Sequence, residues 1–386
     1  MDKQKSRIQS LDILRAIAVI LVIGRHMPIC PDDTPLLLSY AVRGIKRVGW
    51  AGVDLFFVLS GFLVSGLLFR EHMRSGQIRI VRFLSRRGLK LYPSFYVMMI
   101  VTVLANAWTK TDFETKALIS ECLFLQNYVK GIWNHTWSLA VEEHFYLALA
   151  LLVAVMARRA NDPKNPFVAI PVIFTCVALG ALLMRWLTCF FVDFSHSVHM
   201  HLTFPSHLRA DSLFFGVLLS YVYHYHPKQL VTLIAKYRGY VLVLSCVMLA
   251  PICFIPLGSS MWLMSFGLTI IYLAFGGIVI CTVDWSPSCP RIVKRLGNGL
   301  AAMGFYSYSI YLWHMPVLGY AIKMKAANDS HLVYWKCMVV YAIGSLLVGV
   351  SMAKLIEMPV LELRDRCFPS PSGAASFQQA RQTRQL

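Results

Sequence analysis

The sequence predicts an all-α polytopic membrane protein, a bundle of about ten transmembrane helices with both termini cytoplasmic. Three observations lead there. First, the 386 residues are 57% hydrophobic and only 15% charged, with mean hydropathy +0.58, far too apolar for a soluble globular chain. Second, apolar segments long enough to span recur at 11–27, 49–69, 92–108, 135–157, 167–187, 206–225, 239–257, 262–282, 300–322 and 332–355. Third, Lys and Arg collect in alternate loops, whereas those at 188–205 and 258–261 contain neither. That bias keeps basic loops on the cytoplasmic side.

The formal net charge of +18 is dispersed over short loops rather than gathered on one soluble face, so no nucleic-acid partner is expected; the bilayer is the partner. Ten cysteines show neither CxxC pairs nor His/Cys ligand spacing, which indicates no metal site and no disulfide framework. Lys3, Lys5 and Arg7 before an apolar run resemble a signal peptide, but Arg15 interrupts that run and no small-x-small site follows. It is expected to be a retained first span. Residues 1–363 read as one membrane domain without internal repeats. Residues 364–386 form a cytoplasmic tail, polar beyond Pro369 and expected to be disordered.

The first span, LDILRAIAVILVIGRHM, carries Asp12, Arg15, Arg25 and His26. At about 100° per residue, eleven positions return to within about 20° of the same face, so Arg15 and His26 point the same way about 16 Å apart. Ionisable groups in hydrocarbon normally face a bundle interior or a wet cavity. The alternative is that both arginines snorkel to opposite surfaces.

In the second span Asp54 lies near the outer end, while Gly52, Gly61 and Gly66 allow close helix approach. The following loop, IRIVRFLSRRGLKLYPSFY, concentrates Arg86, Arg87 and Lys90. These cations either enforce orientation beside anionic lipid or bind a polyphosphate ligand. The Tyr92-Pro93 step is expected to end the loop's helix and begin the third span.

The fourth span opens NHTWSLAVEEHFY, with Asn134 or Thr136 as a cap and Glu142, Glu143 and His144 pointing three ways. Either glutamate could orient His26 as a general base, or pair with Arg209 or Arg25 to hold helices together. Arg209 and Asp211 open the sixth span, and His314 lies deep in the ninth before Pro316 as a kink. Such a histidine is more often structural than catalytic. Glu357 closes the tenth span. His196, His199, His201 and His207 lack ligand spacing and are read as solvated.

These pieces, in order, resemble the acyltransferase-3 family of integral membrane acyltransferases. The matching stretches are LDILRAIAVILVIGRHM, GVDLFFVLSGFLVSGLL, FLSRRGLKLYPSFY, TWSLAVEEHFYL, LRADSLFFGVLL, YSYSIYLWHMPVL and EMP, from about residue 8 to about residue 363. The resemblance implies O-acyl transfer from cytoplasmic acyl-CoA, usually acetyl-CoA, with no bound cofactor. The implied acceptor is a carbohydrate or glycolipid hydroxyl beyond the membrane, such as O-antigen or exopolysaccharide. It places Arg15 and His26 on the family's essential pair and Glu142/Glu143 on its WSLAxEExFY motif. Lys90 stands where Arg is common, a point charge replacing a planar fork. No hydrolase-like domain of the kind some members carry follows, so acceptor handling is expected to fall to the membrane domain.

The expected mechanism seats the CoA phosphates on Arg86, Arg87 and Lys90, threads the arm past Arg15 and delivers the thioester to His26. Asp54, Arg209, Asp211 and His314 are expected to bind substrate or serve as structural polar groups. The rival reading is a transporter or flippase for a lipid-linked glycan or acyl donor; it would consume no acyl-CoA. A non-catalytic scaffold would tolerate substitution at Arg15 and His26.

Overall fold

The computed structural model describes residues 8–369 except 32–33, 112–113, 161, 163, 192–198, 257–259, 284, 286–289 and 327–330. All regular structure among them is helical. The order is α1 (Gln9–His26), α2 (Leu36–Val48), α3 (Gly52–Ser75), α4 (Ile80–Thr109), α5 (Thr115–Cys122), α6 (Trp137–Arg159), α7 (Ile170–Phe191) and α8 (Ala210–Tyr225). There follow α9 (Pro227–Leu249), α10 (Pro251–Phe254), α11 (Leu268–Thr282), α12 (Arg291–Phe305), α13 (Ser307–Ala326), α14 (His331–Met352) and α15 (Met358–Cys367). The polar tail beyond Pro369 lies outside the described residues.

Helix α1 packs against α12, α3, α2 and α13. Its Leu11, Leu14 and Ala18 join Leu55 and Leu59 of α3 and Tyr272 and Phe275 of α11 in one apolar cluster. Its Val19, Val22 and Ile23 join Phe95 and Met98 of α4 and Leu312 and Trp313 of α13 in another. A helix buried on two sides must meet its polar residues with protein or cavity, not lipid. Close approach has a visible cause in α3 and α8. A side chain on Gly61 would collide with the Leu213 carbonyl, and one on Gly216 with the Val58 carbonyl, as expected of small residues at a membrane helix interface.

Among the described residues, seven helical stretches are long and apolar enough to cross a bilayer: Leu36–Ser75, Ile80–Thr109, Asn134–Arg159, Ile170–Phe191, Pro227–Phe254, Leu263–Thr282 and Leu332–Cys367. The chain is a multi-pass membrane protein. The other three expected crossings correspond to α1, α8 and the α12–α13 pair. Helix α1 carries Asp12, Arg15 and Arg25, and α8 has only 16 residues. The expected continuous helix over 300–322 is broken at Tyr306, between α12 and α13. Apolar side chains on α7 and α9, among them Leu179, Phe190, Val243 and Val247, stay exposed, as a lipid-facing belt requires.

The third crossing also differs from expectation. No boundary falls at Tyr92-Pro93; α4 runs unbroken from the basic stretch through Pro93. Proline forfeits the bond to the Leu89 carbonyl, but Phe83, Leu91, Phe95 and Met98 are buried on both sides of it. Tyr308 of α13 donates to the neighbouring Leu91 carbonyl at 2.6 Å. Tertiary packing thus outweighs one lost helix bond.

Candidate active site

Two cavities lie along α1. The first, about 290 Å³, is lined by Arg15, Arg87, Lys90 and Arg364, by Glu142 and Glu357, and by Ser60, Ser138, Tyr308 and Tyr311. The second, about 280 Å³, is lined by His26, Arg25, Trp50, Asp54, Asn134, His135, Trp137 and Arg209. Val53 belongs to both walls. The common face expected for Arg15 and His26 therefore presents each residue to its own chamber. We call them the basic and the imidazole cavity.

In the basic cavity, Arg15 reaches Asp12 one turn below at only 3.5 Å, leaving its guanidinium available to a ligand. Arg87 lies over the Tyr146 ring, 5.2 Å from its centroid, and Tyr146 donates its hydroxyl to Glu142. The three consecutive polar residues of α6 diverge, as their 100° spacing demands. Glu142 faces the basic cavity, Glu143 accepts from Tyr92 at 2.8 Å, and His144 contacts the Ser206 hydroxyl at 2.7 Å. Neither glutamate is paired with His26, Arg25 or Arg209. The carboxylate partner expected for His26 is replaced by tyrosine partners for both acids.

The basic run is likewise divided. Arg87 and Lys90 line the cavity, but Arg86 does not. It bonds Asp365 of α15 at 3.1 Å and the Phe368 carbonyl. Arg364, the neighbour of Asp365, lines the cavity and was not singled out from sequence. Glu357, in the π turn between α14 and α15, accepts from Ser309 at 2.7 Å.

In the imidazole cavity, Arg209 bonds Asp54 at 2.5 Å, with both side chains almost wholly buried. The guanidinium also faces the rings of Phe57 and Trp137, at 5.6 and 5.8 Å. Asp211 takes no part in this cavity. It pairs at 2.8 Å with Arg185 of α7, which also donates to Thr269 and to the carbonyls of Leu208 and Ser265. Arg185 escaped the sequence reading, although a lone arginine inside an apolar helix is a signal that a buried anion waits for it. The end of α1 is fixed from α2, where Lys46 donates to the Met27 carbonyl and Arg25 to the Lys46 carbonyl at 3.4 Å.

The wall carrying Asn134 and His135 is held by Glu121 of α5. Glu121 accepts from the backbone N–H of Ile132 at 2.7 Å and of Trp133 at 3.1 Å, and from the Thr136 hydroxyl. Burial pushes its pKa up, against the downward pull of these bonds. Thr136 precedes α6 but spends its hydroxyl on Glu121 and the Trp133 carbonyl rather than capping the helix.

His314 is fully buried, its ring centroid 5.3 Å from that of His26 and 5.0 Å from that of His135. Of the four loop histidines, His196 lies outside the described residues. His201 is exposed, and His207 bonds the Tyr128 hydroxyl at 3.0 Å.

A family model described as an acyltransferase domain, of the acyltransferase-3 type, matches residues 8–354. The chain belongs to the acyltransferase-3 family. It is 26% identical over 376 residues to the peptidoglycan O-acetyltransferase OatA of Listeria monocytogenes, covering 92% of this chain and 56% of that protein. It is 25% identical over 375 residues to the O-acetyltransferase OatA of Staphylococcus aureus, covering 91% and 56%. The chain thus spans about half the length of these curated relatives. No solved structure matches it.

Proposed function

We propose that this chain is an O-acyltransferase that moves an acyl group, acetyl in the simplest case, from cytoplasmic acyl-CoA to a hydroxyl of an extracytoplasmic glycan. The observation that carries the reading is the pair of cavities on α1, one rich in cations around Arg15 and one containing His26, with Val53 common to both. Two substrates of different chemistry can approach one point from opposite sides. The Lys/Arg bias directs the basic cavity to the cytoplasm.

Arg87, Lys90 and Arg364 supply charge-assisted hydrogen bonds to donor phosphates. Arg15, about 16 Å from His26 along the helix, lies beside the donor's arm and balances negative charge on the donor. His26 takes the acceptor's hydroxyl proton as oxygen attacks the thioester carbonyl, then returns it to the departing sulfur. On the wall of this cavity Trp50 supplies apolar surface for a sugar ring and Asn134 a polar contact to its hydroxyls. The names of the relatives favour a cell-wall glycan among the possible acceptors.

The test is transfer of radiolabelled acetyl from acetyl-CoA in membranes containing the wild type or His26→Ala, with lipid, polysaccharide and peptidoglycan fractions counted separately. Label in one fraction with the wild type alone supports the reading. Equal label with a normally inserted His26→Ala overturns the role of His26. No acetyl-CoA consumption in any fraction overturns the transferase reading in favour of transport.

A further inference from the structure

Three imidazoles meet at the end of α1. Two of them have tautomers fixed by backbone. Nδ1 of His314 lies 2.5 Å from the Tyr311 carbonyl oxygen, and Nε2 of His135 lies 3.1 Å from the Leu312 carbonyl oxygen. A carbonyl oxygen only accepts, so each of these nitrogens must carry the proton. The opposite nitrogens, Nε2 of His314 and Nδ1 of His135, are then bare lone pairs in the neutral rings. Both are buried and without a protein partner. Burying an acceptor without a donor is costly. Two lone pairs cannot satisfy each other, so within the trio only His26 has an N–H to give.

We propose that His314 is the positioning residue of His26, accepting one His26 N–H at its Nε2 and leaving the other His26 nitrogen bare toward the acceptor. This rests on the O-acyl transfer reading above. The geometry is close to what the bond needs. Rings joined by an N–H···N bond of about 2.9 Å have centroids about 5 Å apart, against 5.3 Å here with planes inclined by 50°. Turning the His26 ring about its soft Cβ–Cγ torsion brings the N–H into line. Glu142 accepts from Tyr146, while Asp54 holds Arg209 and Glu143 holds Tyr92 through one oxygen each; the ring that lies beside His26 on the side away from the cavity wall is that of His314. His135, although its ring lies on the cavity wall, has no N–H free to orient His26 because its Nε2 proton goes to the Leu312 carbonyl.

Orientation of a catalytic imidazole is usually the task of a carboxylate. A neutral imidazole fixes the tautomer without adding a negative charge. In the transfer step the acceptor hydroxyl gives its proton to the bare His26 nitrogen while its oxygen bonds the thioester carbon. The C–S bond breaks, and the sulfur recovers that proton from the same nitrogen. The N–H directed at His314 stays on His26 throughout.

Two measurements test this on the full chain in bilayers. The first is acetyl transfer by His314→Leu and by His314→Gln, whose amide oxygen accepts the same N–H. The expected result is an approximately 100-fold fall in kcat for His314→Leu, with both KM values within about threefold, and recovery of at least about tenfold in His314→Gln. On a His26→Ala background His314→Leu should cost less than about threefold more. Wild-type activity in His314→Leu, a glutamine no better than leucine in a stably folded protein, or a full additional loss without His26 would overturn the proposal. The second measurement needs no activity. With ¹⁵N-labelled histidines, the His26 resonances, identified by their loss in His26→Ala, should show one protonated nitrogen coupled to a bare imidazole nitrogen, and the coupling should vanish in His314→Gln. Its absence in the wild type or persistence in His314→Gln overturns the dyad. An inactive wild type that shows the coupling would instead sink the transfer reading.

Discussion

Tyr311 donates its hydroxyl to the backbone carbonyl of His135 at 2.5 Å. The same hydroxyl lies 2.6 Å from that of Ser138. Tyr311 lines the basic cavity and His135 the imidazole cavity, so this bond ties the two walls together. Tyr311→Phe leaves a buried carbonyl without its donor and should destabilise the protein by about 1–3 kcal/mol. Thermal unfolding in detergent, read beside the initial rate of acyl transfer, measures both effects.

Asp54 and Arg209 should behave as one unit. Removing either partner strands a charge in a buried site, at roughly 3–5 kcal/mol. Arg209→Met and Asp54→Leu should each unfold at a clearly lower temperature than wild type. The double variant should lose far less than the sum. Additive losses in the cycle would show that the two side chains act separately.

The arginines around the donor end of the site should separate by kinetics. Arg87→Ala and Arg364→Ala each remove a cation lining the basic cavity and should raise the KM for acyl-CoA by about tenfold or more. Arg86→Ala breaks the contact with Asp365 on a partly exposed pair, so its donor KM should stay near wild type. A donor titration of the three variants decides it.

Glu121 offers a pH signature. Burial outweighs its hydrogen bonds and raises its folded pKa above the ordinary 4.5, so the folded chain holds this proton more tightly than the unfolded one. Its contribution to stability is therefore greatest below that ordinary value and is lost as pH rises through the raised one. The stability of the wild type relative to Glu121→Gln should decline across the same interval. Unfolding of both proteins at a series of pH values checks the sign.

Much of the site could be read from short-range pattern. The eleven-residue interval from Arg15 to His26 is a property of helix geometry, and the divergence of Glu142, Glu143 and His144 follows from the same 100° step. Partner choice could not be read that way. Arg209 and Asp211 are two residues apart, yet one finds Asp54 on α3 and the other Arg185 on α7. Glu143 takes Tyr92 of α4, whereas Glu142 finds Tyr146 one turn along its own helix. Arg86 turns away from Arg87 because α15 brings Asp365 to it across 279 positions of chain. Local rules also misplace boundaries where packing prevails, as at Pro93. Conversely, the lone Arg185 in an apolar helix did announce a buried acid, and the histidine before TWSL lay within a quoted motif without being assigned a role.

Val53 has a consequence for the membrane as well as for the reaction. In the proposed reaction the donor and the acceptor come from opposite faces of the membrane, and a continuous file of water between them would discharge the proton gradient. The isopropyl group of Val53 forms part of the wall of both cavities. The proposed transfer therefore asks that wall to pass an acyl group while refusing ions, which would make the catalyst an electrical insulator as well.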